Sequence, residues 1–170
     1  MLIAAAGFFT ALGLGGLALL MTPPTPAPFG AWQRVGQALG APDDLGPADF
    51  TTLARRHGDA LYCPPDLCAA TQAALVPPVF TISAERLTAK LRRVALAEWG
   101  LEEQPVPGAN QLRFVRRSAI LRLPDVIDAR IIPRSSGAAT LALSARPAVG
   151  LLDIGANRRL LERWIAALGA

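Results

Sequence analysis

Apolar positions along this chain follow three different rhythms. Residues 2–21 form a continuous apolar run with no charge and one hydroxyl, Thr10. A helix needs about 20 such residues to cross a hydrocarbon core, so this segment is expected to be a transmembrane anchor. Its glycines at 13, 15 and 16 would weaken a helix in water but are common in membrane spans. A cleaved signal peptide is the rival reading, but no basic residue precedes the run and no A-x-A site follows it. Prolines dominate residues 22–30, TPPTPAPFG, which predicts a stiff extended stalk.

Two later segments repeat every three to four residues. Leu87, Leu91, Val94 and Ala95 share one stripe, while Arg86, Lys90 and Arg93 fall elsewhere. This predicts a helix capped by Ser83, stapled through Ile82 and Leu87, and ending near Trp99 with Gly100 as the stop. The second segment begins at Asn157, a suitable N-cap, and lines up Leu160, Leu161, Trp164, Ile165 and Leu168. Arg158 and Arg159 in its first turn oppose the helix dipole, so an anionic partner is expected nearby, either Asp153 or a ligand. A shorter helix is expected over 50–56, capped by Asp49, with His57 at its end.

Three runs alternate instead with the period of a strand: 112–123, 126–133 and 138–146. A further short strand is expected over 79–82. Pro124-Asp125 and Ser135-Ser136-Gly137 supply turns, and so does the stretch 104–111. Leu141 and Leu143 point one way, with Thr140, Ser144 and Arg146 on the other side. Ile127, Ala129 and Ile131 alternate with Asp128 and Arg130. Ala119, Leu121 and Leu123 alternate with Ser118 and Arg122. The apolar face should meet the two helices. The polar face should gather Arg122, Arg130 and Arg146, and Arg116-Arg117 breaks the pattern as a bulge would. The expected fold class is therefore α+β: a small, mainly antiparallel sheet with two helices on one face. It divides into an anchor (2–21), a stalk (22–30) and a soluble domain (31–170).

Composition narrows the chemistry. The net charge is +4 and the hydrophobic content 52%, with a pI near 10.0. The arginines are dispersed and Lys90 is the only lysine. No polybasic run or nucleic-acid motif occurs, so nucleic acid is not expected as a partner. Anionic small molecules and lipid headgroups remain as partners. The segment CPPDLC places Cys63 and Cys68 around a turn. A disulfide between them is sterically allowed; free thiols and a metal site including His57 are the alternatives. No cofactor or metal motif is found.

GLLDIGANRRLLERW at the C-terminal end resembles the G-x-x-D-x-G-x-N-x-R ending of a bacterial and plastid family called domain of unknown function 1499. RLPDVI over 122–127 is similar to its R-F-P-D-D-I element, with Leu123 in place of phenylalanine, and YCPPDLC to its cysteine–proline segment. The resemblance spans 62–168. The family has no established activity. Its members often carry membrane spans or export signals, which implies an envelope location. Arg34 by itself slightly favours a cytoplasmic domain. The cysteines and the resemblance together favour a single-pass inner-membrane protein with a periplasmic domain.

The expected function is a non-catalytic binding or accessory module. Its ligand site would join Arg122, Asp125, Arg146, Asp153, Asn157 and Arg158, where guanidinium forks suit carboxylate or phosphate. The alternatives are a hydrolase using the turn aspartates Asp125 and Asp153, and a membrane scaffold. The chain has no G-x-S-x-G elbow and a single histidine. The glycines of the apolar run form no G-x-x-x-G pair.

Overall fold

Five antiparallel strands form one sheet in the order β1-β5-β4-β3-β2. The strands are β1 (Ala60–Tyr62), β2 (Leu101–Gln104), β3 (Gln111–Arg117), β4 (Pro124–Pro133) and β5 (Ala139–Pro147). Helix α1 (Ala84–Leu96) lies between β1 and β2, and α2 (Ala156–Gly169) follows β5. The computed structural model describes residue 38 and residues 45–68, 75–108, 110–117, 124–147 and 155–169. The expected anchor (2–21) and stalk (22–30), and the candidates Arg122 and Asp153, lie outside these residues.

Alternation in the central strands builds the main core. Register pairs Ile127 with Ala145, Ala129 with Leu143 and Ile131 with Leu141. These side chains share one cluster with Leu112 and Phe114 of β3. Leu87, Leu91 and Ala95 of α1, and Leu160, Leu161, Trp164 and Leu168 of α2, close over them. Trp164 meets Phe114 edge-on with ring centroids 5.8 Å apart, the arrangement that aromatic quadrupoles favour. Both helices therefore pack on the apolar face, as the two periodicities predict. Ser83 caps α1, its hydroxyl accepting the Arg86 N–H at 3.4 Å. Lys90 of α1 donates to the Leu168 carbonyl at 3.0 Å, satisfying an orphan acceptor at the end of α2.

Several local expectations need correction. Helix α1 stops at Leu96 and leaves Trp99 63% exposed. Residues 50–56 form a turn rather than a helix: Asp49 accepts from the Thr51 N–H and from both threonine hydroxyls, an Asx arrangement that competes with helix. Over 79–82 only one bridge forms, Phe80 to Ala139. Pro124 and Asp125 are not a turn but the first residues of β4. Arg116 and Arg117 make no bulge, because the β3–β4 register runs unbroken from Gln111 to Arg117. Alternation simply places them on opposite faces. Asn157 is not the cap of α2 but its second residue, fully buried. The Gly155 carbonyl accepts the first helical bond, from the Arg159 N–H at 3.1 Å.

The second face of the sheet is not open. Residues 45–53 and 63–68, on either side of β1, fold across it. Leu45 packs on Val115 and Val126. Ala48, Phe50, Leu61, Cys63 and Cys68 pack on Ala142, with Ile132 at the margin. Cys63 and Cys68 stand at disulfide distance, with Cα atoms 6.0 Å apart, inside the range a disulfide spans. They pin the end of this cover just after β1.

Candidate functional site

Three charged side chains of the covered face, Asp128, Arg113 and Arg146, pair with one another. Asp128 of β4 lies between two guanidiniums. Arg146 Nη2 bonds its Oδ2 directly, and Arg113 Nη1 is 3.8 Å from its Oδ1. The same arginines reach up to the covering segment: Arg113 donates to the Leu45 carbonyl, and Arg146 to the Gly46 carbonyl at 2.6 Å. Burial pushes the Asp128 carboxyl upward while Arg146 and Arg113 pull it down. All three residues are less than 10% exposed. A charge taken out of water needs such pairing, and here the pairing fastens residues 45–46 to the sheet. Arg146 thus faces away from α2, and it does not join Asn157 or Arg158.

On the helix face, Asp125 and Asn157 are brought together by a residue read from sequence as part of a bulge. Arg116 Nη2 donates to Asp125 Oδ2 at 2.5 Å and to Asn157 Oδ1 at 3.3 Å. Arg116 and Asp125 face each other across the β3–β4 ladder. This trio ties the start of α2 to the sheet, and all three members are shielded from solvent. It is a fastening by geometry, in which Arg116 bridges Asp125 and Asn157.

Arg158, the remaining described candidate, occupies a different setting. It lines a cleft of about 290 Å³ together with Arg55, His57, Asp59, Leu75 and Gly155. Edge strand β1 forms the floor. A turn delivers the residues on one wall: the Asp59 N–H donates to the Arg56 carbonyl at 3.2 Å, and Gly58 takes a φ of 84°. A positive φ at that turn position is why a glycine stands between His57 and Asp59. The opposite wall is the start of α2, where the helix dipole is positive. Gly155 there has a φ of 71°, again outside the range of ordinary side chains.

Electrostatics in the cleft are uneven. Arg158 is 64% exposed at its side chain and shares its Nε with Glu162 at 2.8 Å. A guanidinium carries five N–H donors, so this contact uses only part of its capacity. Arg55 crosses the turn to donate to the Asp59 carbonyl at 3.2 Å. Asp59 itself is buried, with 3% of its side chain exposed. Its Oδ2 accepts the Arg56 N–H at 2.8 Å, but among the described residues its Oδ1 has no partner. Burial raises the Asp59 carboxyl, opposed by the amide and guanidinium of Arg56 and by Arg146.

A larger cleft of about 350 Å³ lies at the far end of β4, bounded by Asp66, Gln111 and Arg130. Its Asp66 carboxylate is held by a two-point bond from Arg134, at 2.5 and 2.8 Å. It offers Arg130 beside that carboxylate and, among the described residues, shows no orphaned buried atom. The smaller cleft has the chemistry. Among the described residues no group of His, Cys, Asp and Glu is placed to hold a metal ion, and no helix is long and apolar enough to cross a membrane.

Sequence reasoning missed Arg55 and Asp59, and offered His57 as the end of a helix or a member of a metal site with the cysteines. The one available signal was the dipeptide-like spacing of the sole histidine and an aspartate around Gly58. No family model, no curated protein and no solved structure matches this chain.

Proposed function

We propose that this chain is a non-catalytic binding module of the cell envelope, and that the cleft between the 55–59 turn and the start of α2 takes a small anion. One observation carries the reading: Arg55, His57 and Arg158, from two distant parts of the chain, converge on one cavity at the positive end of a helix. Guanidiniums and a helix N-terminus are the usual means of holding phosphate or carboxylate. Residues 2–21 would hold the module at the inner membrane with its domain in the periplasm. The spacing of Cys63 and Cys68 supports an oxidising compartment, and so does the resemblance to domain of unknown function 1499. A hydrolase built on turn aspartates draws less support, since Asp125 is engaged by Arg116.

Calorimetric titration of the full-length chain with inorganic phosphate tests the anion site. Replacing Arg55 and Arg158 together by alanine should weaken binding at least tenfold, on the order of the 1.4 kcal/mol that separates decades. Arg130→Met, in the other cleft, should leave the affinity unchanged. Equal affinity in the double variant and the parent chain would remove the cleft from consideration.

A further inference from the structure

We infer that the end of the domain where α1 stops is a membrane-docking surface, with Leu96 and Trp99 set into the headgroup region of an anionic bilayer. The inference rests on the reading of residues 2–21 as an anchor and is independent of the anion cleft. Leu96 and Trp99 are 49% and 63% exposed. They stand at the C-terminal end of α1, outside the core that Leu87, Leu91 and Ala95 enter. A tryptophan has an apolar body and a polar ring N–H, which suits the boundary between hydrocarbon and water.

Register fixes which end of the sheet this is. The Gly100 carbonyl accepts the Arg117 N–H at 3.0 Å, so Trp99 lies beside the end of β3. Leu45 packs on Val115 and Val126, which face each other two pairs before Arg117 and Pro124. The chain that leads from the apolar run therefore reaches the sheet at the end that carries Trp99. Asn157, bonded to Arg116, brings the start of α2 to that end as well. The exposed charge there is basic. Arg93 in the last turn of α1 and Arg159 in the first turn of α2 are exposed, and neither has an ion-pair partner among the described residues. The nearby carboxylates are engaged or turned away: Arg163 holds Glu98 at 3.1 Å, Arg92 holds Glu103 at 2.8 Å, and Glu102 pairs with Val115 on the covered side. Arginines beside exposed apolar side chains suit an anionic lipid surface. A second copy of the chain would instead bring like charges together.

The test is tryptophan quenching in the full-length chain, reconstituted into phosphatidylglycerol vesicles with brominated acyl chains. Trp32→Phe leaves Trp99 as the reporter, because Trp164 is 1% exposed. Trp99 emission should fall by roughly twofold, and Arg93→Glu with Arg159→Glu should restore it. The control reporter is Val79→Trp combined with Trp32→Phe and Trp99→Phe. Val79 is exposed at the opposite end of the sheet, next to the Phe80–Ala139 bridge, and its replacement should stay unquenched. An alkaline wash of the vesicles reports the anchor separately. Absence of Trp99 quenching, or equal quenching at position 79, in a chain that resists the wash would overturn the inference and spare the anchor reading. A chain released by the wash would overturn both. A blue shift of Trp99 that depends on protein concentration, without quenching, would make a second copy the occupant and overturn the lipid surface.

Discussion

Asp59 and Asp128 are both buried carboxylates, but their surroundings assign them different work. Asp128 has two guanidiniums and returns the favour by holding Arg113 and Arg146 against the covering segment. Removing one partner of such a pair strands a buried charge, so Arg146→Met should cost about 3–5 kcal/mol in denaturant unfolding. Asp59 has an oxygen to spare. Its carboxyl is raised by burial, so the folded chain binds a proton that the unfolded chain has already released. Stability from this group is fully present below the unfolded value and is lost as pH rises through the folded one. Asp59→Asn should therefore flatten the stability–pH curve above pH 4 and raise stability at pH 7 by about 1 kcal/mol. A variant less stable than the parent at pH 7 would contradict the placement of a charged carboxylate in that wall. A residue that destabilises the fold yet lines a cavity is what a functional site tends to contain.

Among the elements, those with a long enough period could be read from sequence. Helix α1 and helix α2 each carry three or more buried positions on one stripe, and β4 and β5 run for ten and nine residues. Strands β1 and β2, of three and four residues, are too short to show alternation. They are strands because β5 and β3 offer them an edge, which is a tertiary fact. Trp164 is the anchor of α2, 1% exposed against Phe114. Trp164→Ala should cost about 3–5 kcal/mol and lower the melting temperature before it affects binding. Gly155→Ala should cost about 1–3 kcal/mol through its left-handed backbone, with Arg159 Nη1 already 3.4 Å from the added methyl. The bridge between Cys63 and Cys68 closes a short loop, so Cys68→Ser should cost about 2 kcal/mol. Equal melting of oxidised and reduced protein would show that the pair is not bonded in solution.

At the scale of the molecule, the largest departure from the sequence reading is the covered second face. Thr140, Ser144 and Arg146 looked like a polar surface because alternation reports polarity and not exposure. Leu45, Ala48 and Phe50 lack any period that would have announced them as a lid on that surface. The same limit applied to the candidate site. Arg146 and Arg158 lie twelve residues apart in sequence and share an arginine's chemistry. Yet β5 sends Arg146 to the covered face, away from Leu143 and Ala145, while Arg158 turns to the β1 edge. Asp125 and Asn157 meet through Arg116, which joins them into a fastening. The turn residues Arg55 and Asp59 come from a segment without pattern, and only the fold carries them to α2. The most direct measurement is amide chemical-shift mapping of the full-length chain as inorganic phosphate is added. The cleft account predicts saturable shifts at 55–60 and 155–158, with the amides around Arg130 and Asp66 unmoved. Shifts centred on Arg130 and Asp66, or none that saturate, would contradict it.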